Sequence, residues 1–195
     1  MPSMTAHKIA FLFIFTFFLA ILVSSLQDNH GVYVRGVQCN ISEKFVFKNF
    51  SCFAKSYSRT TSTVNIVMPL KKAFTDIKMT VKFFYKYGMI YREVLTTSMF
   101  DVCTLADLMK NDKIVLNKIV ATFAEAIEAS TPGTIHECPY NELIVKNASF
   151  KTAALPSVFP SGDYKVVFKA FLDKESAGFF NIIVNVNSSN KDTFG

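Results

Sequence analysis

The sequence lacks the residue patterns that most enzyme classes need. It contains three histidines, no tryptophan and seven glycines. It has neither a G-x-S-x-G nucleophile elbow nor a glycine-rich phosphate loop. His7 lies in a segment that we expect to be removed, so His30 and His136 are the remaining histidine candidates for a general base. We therefore expect a protein that is not an enzyme and that uses no cofactor.

The sequence also lacks the patterns that are typical of metal sites and of nucleic-acid-binding sites. The chain has no C-x-x-C pair, and His30 and His136 alone do not make a zinc-ligand pattern, so we expect no metal. The net charge is +6, but single lysines alternate with apolar residues, as in KMTVKFFYKY at 78–87. A nucleic-acid site would show a clustered basic patch instead. We therefore expect no nucleic-acid partner.

The amino-terminal segment has the pattern of a secretory signal peptide. Residues 1–8 are polar and include a lysine, and residues 9–23 form the apolar run IAFLFIFTFFLAILV. An uncleaved membrane anchor is the alternative, but the run is shorter than the roughly 20 residues that span a bilayer. We expect cleavage near Ser25, which gives a signal peptide at 1–25 and a single secreted, extracellular domain at 26–195.

The cysteine count indicates disulfides. Four cysteines are present, and an even number in a secreted chain implies two bridges. Three connectivities are possible, and the sequence alone does not choose among them. We favour Cys39–Cys52 with Cys103–Cys138, because each loop then encloses a contiguous segment that can fold back on itself.

N-glycosylation acceptor triplets occur at Asn40, Asn49, Asn147 and Asn187. A used acceptor must lie at the surface, which constrains the faces of the strands that carry it. Asn147 and Asn187 are the strongest candidates, since both stand beside polar residues at expected strand ends. We expect a glycoprotein with at least two of these sites occupied.

Period-two alternation predicts strands along most of the chain. It is clearest at 77–87, where YG at 87–88 can turn the chain into a return strand at 89–96. Further strands are predicted at 45–53, 64–70, 142–150, 164–172 and 180–187. Turns are predicted at PSGD, residues 160–163, and around KES and Gly178. Several short strands with turns between them suggest an antiparallel β-sandwich.

One segment follows a helical period instead. Between 102 and 128, apolar residues recur at three- and four-residue spacing. Thr104 and Asp107 resemble a capping box, Asp101 is a candidate cap, and Thr131-Pro132-Gly133 ends the segment. The fold class that we predict is mostly β, a β-sandwich with an inserted helical segment at about 102–128.

Three motifs carry a family resemblance. FDVC at 100–103, CPYNELIVKNASF at 138–150 and FPSGDYKV at 159–166 resemble the insect family called domain of unknown function 1091. Cys39 and Cys52 also match its pattern, and the resemblance covers roughly residues 37–175. The family is similar, more distantly, to the lipid-recognition family of the ganglioside activator protein. That resemblance implies an immunoglobulin-like sandwich opened into a lipid-holding cup, and some insect relatives are implicated in contact-pheromone perception.

Aromatic bulk makes a ligand cavity plausible. The chain has 21 phenylalanines and seven tyrosines, and five of the phenylalanines lie in the predicted signal peptide. Large rings can fill an ordinary core, or some of them can line a cavity for an apolar ligand. The strand and helix periods assign five rings to inward faces, and these are our candidate ligand-binding residues: Phe83, Tyr85, Phe123, Phe168 and Phe180.

Two functions of different class follow. The first is a secreted, non-enzymatic binder of lipids or other hydrophobic small molecules, acting in chemosensory or pheromone perception and with a membrane receptor as a further partner. The second is a secreted protein-interaction module with a filled core and no small ligand. Lipid extracted from the purified protein would distinguish them.

Overall fold

Antiparallel strands make up most of the structure, a computed structural model that describes residues 31–58, 61–105, 118–150 and 159–187. Within these residues the strands and the helix, in chain order, are β1 (Gly31–Ile41), β2 (Ser51–Ser56), β3 (Ser62–Phe74), β4 (Ile77–Tyr87), β5 (Ile90–Thr96), β6 (Phe100–Asp101), α1 (Lys118–Ser130), β7 (Tyr140–Ala148), β8 (Gly162–Leu172) and β9 (Glu175–Asn187).

The strands form two sheets. The large sheet has the order β1-β9-β8-β4-β5, with β6 paired to β4, and the small sheet has the order β2-β3-β7. All pairings are antiparallel. The predicted class, a mostly β sandwich with one helical segment, is confirmed.

The alternation seen in the sequence builds the inner face of the large sheet. Val81 on β4 pairs with Phe168 on β8, Phe168 pairs with Phe180 on β9, and Phe180 pairs with Cys39 on β1. These four side chains therefore form a row across the sheet and point to one face. The apolar core consists largely of such side chains from β1, β4, β8 and β9, together with those of β3 in the small sheet.

Two disulfides connect parts of the sandwich, with the connectivity that we favoured. Cys39 on β1 is bonded to Cys52 on β2, with 6.2 Å between their Cα atoms, and so joins the two sheets at one edge. Near the same edge the Val34 amide donates a buried hydrogen bond of 2.6 Å to Ser62 Oγ. Cys103 is bonded to Cys138, with 5.1 Å between the Cα atoms.

The structure differs from the predicted strands in three places. β1 was not predicted, because a register shift between Val34 and Gly36 interrupts its alternation. Residues 45–50 were predicted as strand but form turns with a single bridge from Val46 to Leu70. The strand predicted at 64–70 continues to Phe74 with irregular register.

We predicted the hairpin turn between β8 and β9 around KES, residues 174–176, and Gly178. Asp173 and Lys174 make the turn, with φ of 49° and 66°, so it includes the first residue of KES. Gly178 lies within β9 instead, and a Cβ there would stand 2.1 Å from the Asn40 carbonyl oxygen. This close approach between β1 and β9 explains the glycine.

Some predictions concern residues outside the described ranges. These are the signal peptide at 1–25, most of the first half of the helical segment, with Asp107 of the capping box, and His30. Of the described helical part, α1 ends at Ser130, directly before the predicted stop at Thr131. In the ranges that the structure covers, no helix is long and apolar enough to cross a membrane.

Candidate ligand-binding cavity

A partly open cavity of about 140 Å³ lies between the two sheets, against α1. Its walls come from β3 and β7 of the small sheet, from β4, β8 and β9 of the large sheet, from α1, from the loop that follows α1, and from the segment 100–105. The described lining residues are Ile66, Met79, Val81, Phe100, Val102, Leu105, Val120, Phe123, Ala124, Ile127, Thr134, Ile135, Tyr140, Leu143, Val145, Phe168, Phe180 and Ile182.

The helix contributes to the wall through one stripe of apolar side chains. Val120, Phe123, Ala124 and Ile127 all line the cavity, and their spacing is that of one face of an α-helix. Glu125, between them in sequence, is exposed. The helical period in the sequence therefore identified the correct face of α1.

Two threonines fix the carboxyl end of α1 to the small sheet. Thr131 Oγ1 donates to the Lys146 carbonyl at 3.0 Å and accepts from the Lys146 amide at 2.7 Å. Thr134 Oγ1 lies 2.6 Å from the Ile144 carbonyl, to which it can donate. Because both partners belong to β7, the helix end is held against that strand. Apart from the Thr-Pro-Gly-Thr turn at 131–134, no pattern in the sequence indicates these contacts.

A closed loop forms the wall near the disulfide Cys103–Cys138. The Tyr140 hydroxyl accepts from the His136 amide at 2.9 Å and donates to the His136 carbonyl at 2.8 Å. The His136 ring stacks on Tyr140 with 4.0 Å between centroids. On the other side of the disulfide, Asp101 Oδ1 accepts from the Cys103 amide at 2.8 Å. The first half of the helix that Asp101 was predicted to cap lies mostly outside the described residues, so the cap stays a prediction. Val102 and Tyr140, which flank this bridge, both reach the cavity.

A second cavity of about 80 Å³ continues toward the end of the sandwich at β1 and the start of β4. It shares Met79, Val102, Tyr140, Leu143 and Phe180 with the first cavity. Its remaining described walls are Ile41, Val46, Met68, Leu70, Ile77, Glu142, Ala170, Leu172 and Ala177. The shared walls make the two cavities neighbours along the sandwich interior.

The lining offers almost no polar chemistry. Its polar side chains are the hydroxyls of Thr134 and Tyr140, both already hydrogen-bonded, and the exposed Glu142 at the second cavity. No buried side-chain N or O atom in the described ranges lacks a hydrogen-bond partner. Burial raises the pKa of the Tyr140 phenol, so that group stays neutral at ordinary pH. The described walls therefore suit an uncharged apolar group and provide no site for a buried ionic headgroup.

The five candidate rings divide between the cavity and the core. Phe123, Phe168 and Phe180 line the first cavity, and Phe180 also lines the second. Phe83 lines neither of the two and packs against the rings of Phe123 and Phe159, at 6.0 and 5.9 Å between centroids. Our assignment of all five to inward faces did not separate rings beside the cavity from rings packed beyond it.

Tyr85 also lies away from both cavities. Its hydroxyl donates to the Ser161 carbonyl at 3.0 Å, and its ring meets Tyr87 and Tyr164 edge to face. A Cβ at Gly162 would stand 2.7 Å from this ring. Tyr85 therefore packs under the turn that begins β8.

Several cavity residues were not among our candidates. Ile66, Leu143 and Val145 come from the small sheet, and Met79 and Val81 come from the strand β4 that supplied Phe83. The period-two pattern places Met79 and Val81 on the same face as Phe83, so this signal was present in the sequence. We had selected only aromatic rings, and aliphatic side chains provide most of the wall.

The acceptor asparagines all lie at the surface. Asn40, Asn49, Asn147 and Asn187 are exposed. Asn147 adopts a left-handed conformation with φ of 54° near the end of β7, and Asn187 ends β9. Glycosylation itself stays a prediction. Across the described ranges no group of three or more His, Cys, Asp or Glu side chains could hold a metal ion.

Comparison with known families supports the resemblance seen in the sequence. Residues 79–166 match the family described as "Protein of unknown function (DUF1091)". This region runs from β4 to the first half of β8 and includes the disulfide Cys103–Cys138 and α1. A search of curated proteins returned no match. The match supports the family and assigns no activity.

Proposed function

We propose that the protein is a secreted, non-enzymatic binder of lipids or other hydrophobic small molecules. The observation that carries this proposal is the apolar cavity between the sheets, walled by side chains from both sheets and from α1. Small-molecule sites are typically concave and mostly apolar. The two disulfides support secretion, because such bonds persist in oxidising compartments.

The size and chemistry of the cavity point to one part of a ligand. An apolar cavity of about 150 Å³ accommodates a ring the size of benzene, so the first cavity, of about 140 Å³, takes a ring or a short alkyl segment. A longer chain would continue toward the neighbouring cavity or out through the open side. Each buried methylene contributes about 0.8 kcal/mol. The polar end of such a ligand would remain near solvent, because the described walls offer it no free partner.

The finer resemblance agrees with this proposal. A relation to the lipid-recognition family would give the sandwich a precedent as a lipid-holding cup, and the implied chemosensory setting would make a pheromone or cuticular hydrocarbon a suitable ligand. A membrane receptor would then be the further partner. These points belong to the proposal, and the cavity is what supports it.

Native mass spectrometry of protein purified from secreting cells is the first test. We expect a mass increment that disappears after organic extraction, with a hydrophobic compound recovered in the extract. A fluorescent apolar probe should bind the extracted protein and be displaced by alkanes or long-chain alcohols. If no compound co-purifies and no apolar probe binds, the interaction-module function replaces this one.

A cavity-filling substitution tests whether the ligand occupies this site. Ala124→Leu adds an isopropyl group to the α1 face that lines the cavity, and leucine is a good helix former. Ala129→Leu is the matched control, because Ala129 is exposed on the same helix and lines neither cavity. We expect Ala124→Leu to weaken probe binding at least about tenfold while the control retains it. Equal probe affinity in both variants would place the ligand elsewhere.

A further inference from the structure

The hairpin between β4 and β5 carries an exposed apolar tip. Met89 is 95% exposed and Ile90 is 63% exposed, and Tyr87 beside them is 53% exposed. Gly88, with φ of 60°, forms the tight turn between the strands. Contiguous exposed apolar side chains of this kind mark interaction sites more often than isolated ones do. The exposed apolar tip therefore indicates a site that contacts a binding partner.

Cations surround this tip. Arg92 lies 5.7 Å from the centroid of the Tyr87 ring, and Lys165 Nζ lies 4.7 Å from the Phe84 ring and 5.1 Å from the Tyr91 ring. In the described part of the chain, neither Arg92 nor Lys165 has a carboxylate within ion-pair distance. Their charges are therefore available to an anionic partner.

The nearby carboxylates are engaged with other cations. Glu93 accepts from Lys82 at 2.8 Å, and this hydrogen bond lowers the pKa of the Glu93 carboxyl. Asp163 pairs with Arg35 at 3.0 Å and lies 3.9 Å from Lys86. The positive potential around Arg92 and Lys165 is thus not cancelled by these two acids.

We propose that the β4–β5 hairpin docks on an anionic lipid membrane, with Met89 and Ile90 inserted at the interface and Arg92 and Lys165 at the level of the headgroups. An apolar tip with tyrosines and basic side chains around it matches the chemistry of a membrane interface, where aromatic rings and cations lie at the headgroups. A partner protein would need a complementary apolar pocket, whereas a bilayer accommodates the protruding tip directly.

This surface is separate from the ligand cavity. Val81 is the cavity residue of β4 nearest to the tip in sequence, and Tyr87 lies six residues further along the same strand. At about 3.4 Å per residue, that separation is roughly 20 Å. Membrane docking therefore does not depend on whether the cavity holds a ligand, and the two proposals can fail separately.

The absence of tryptophan from the chain allows a direct test. Met89→Trp places a single tryptophan at the tip. Phe47→Trp is the matched control, because Phe47 is an exposed ring in the turn between β1 and β2. With vesicles of phosphatidylcholine and about one-third phosphatidylserine, we expect a blue shift of emission for Met89→Trp and none for Phe47→Trp.

Vesicle co-sedimentation measures what each group contributes. The double substitution of Met89→Ser and Ile90→Ser should lower partitioning at least about tenfold. Arg92→Gln and Lys165→Gln should each lower it about fivefold on the anionic vesicles and leave partitioning to phosphatidylcholine alone unchanged. Lys55→Gln is the charge control and should have little effect, because Lys55 is exposed on β2 of the small sheet.

Three results would overturn the proposal. One is wild-type protein that does not sediment with anionic vesicles although its circular dichroism is that of a folded sandwich. Another is an equal blue shift for the tryptophans at positions 89 and 47. A third is a concentration-dependent shift at position 89 without lipid, with a dimer mass in light scattering, which would assign the tip to a second copy of the chain.

Discussion

Replacing Phe83 and Phe123 by alanine should have unequal effects, although the two rings touch. Phe83 on β4 is 2% exposed and packs against the rings of Phe123 and Phe159. Phe123 on α1 is 8% exposed and borders the cavity of about 140 Å³. One ring is thus enclosed by protein atoms, and the other has a void on part of its surface.

The expected magnitudes follow from this difference. Removing an enclosed phenylalanine typically costs about 3–5 kcal/mol, because a new cavity adds to the lost burial. A ring that already faces a void has fewer contacts to lose, so we expect about half of that for Phe123→Ala, roughly 1.5–2.5 kcal/mol. The higher helix propensity of alanine reduces the cost further, by up to about 0.7 kcal/mol.

Urea unfolding with the disulfides intact measures the free energy of unfolding of each variant. Displacement of a bound apolar probe measures the affinity of the cavity for that probe. We expect Phe83→Ala to lose the greater free energy of unfolding. Phe123→Ala should lose less of it, but its affinity for the probe should fall, because part of the cavity wall is gone. Phe168→Ala should behave like Phe123→Ala, since Phe168 also lines the cavity and packs edge to face against the Phe123 ring, with 5.9 Å between the ring centroids.

Two outcomes would refute this reasoning. If Phe123→Ala costs as much free energy as Phe83→Ala and neither changes probe affinity, the rings on α1 fill a core and line no functional cavity. If Phe83→Ala abolishes probe binding while it remains folded and Phe123→Ala does not affect it, the ligand lies beyond Phe83, outside the two cavities described above.

Other predictions concern the bridge, the sugars and pH. Replacing Cys103 and Cys138 together by serine should lower the free energy of unfolding by about 3–4 kcal/mol, since the bridge closes a 35-residue separation. Peptide mapping without reduction should link these two cysteines, and a peptide that links Cys103 to Cys39 or Cys52 would contradict the pairing. Peptide glycosidase should lower the mass of secreted protein, and Asn147→Gln and Asn187→Gln should each remove part of that shift; no shift in the wild type would count against glycosylation. Burial raises the pKa values of Tyr140 and Tyr164 in the folded protein. Below about pH 10 both tyrosines are neutral in the folded and the unfolded chain, so the free energy of unfolding should not change. Above that pH the unfolded chain loses these protons first, so the free energy of unfolding should fall. Tyr164→Phe should flatten this decline in denaturation at high pH, and an unchanged slope would show that Tyr164 does not cause it.

The strand pattern was predictable wherever one face is buried without interruption. Residues 77–87 alternate strictly and form β4 with those bounds. β1 escaped prediction because the bulge near Gly36 shifts its apolar residues from one parity to the other, from Val34 to Val37 and Cys39. Period-two alternation therefore predicts regular strands and misses strands in which a β-bulge shifts the register.

The number of disulfides was predictable from the cysteine count, whereas their pairing was only favoured. The favoured pairing rested on contiguous loops, and in the structure it joins β1 to β2 and the segment before α1 to the loop before β7. Which rings reach the cavity was not predictable in this way. Phe83 and Phe123 both point inward, and their difference depends on where α1 and the small sheet lie relative to β4.

The location of the cavity follows from the unequal sizes of the two sheets. Five strands in the main order of the large sheet face three in the small sheet, so β2, β3 and β7 cannot cover the whole inner face. At the β1–β2 edge the disulfide Cys39–Cys52 holds the sheets together. Beyond β7, α1 covers the remainder, and its Phe123 ring contacts Phe83 on β4 and Phe168 on β8. A helix and a strand present side chains at different spacings, so the two do not pack against the large sheet in the same register. The cavity lies where α1 meets β7 above that sheet. The inserted helix is therefore the wall through which changes of sequence would alter the cavity with least disturbance to the sheets.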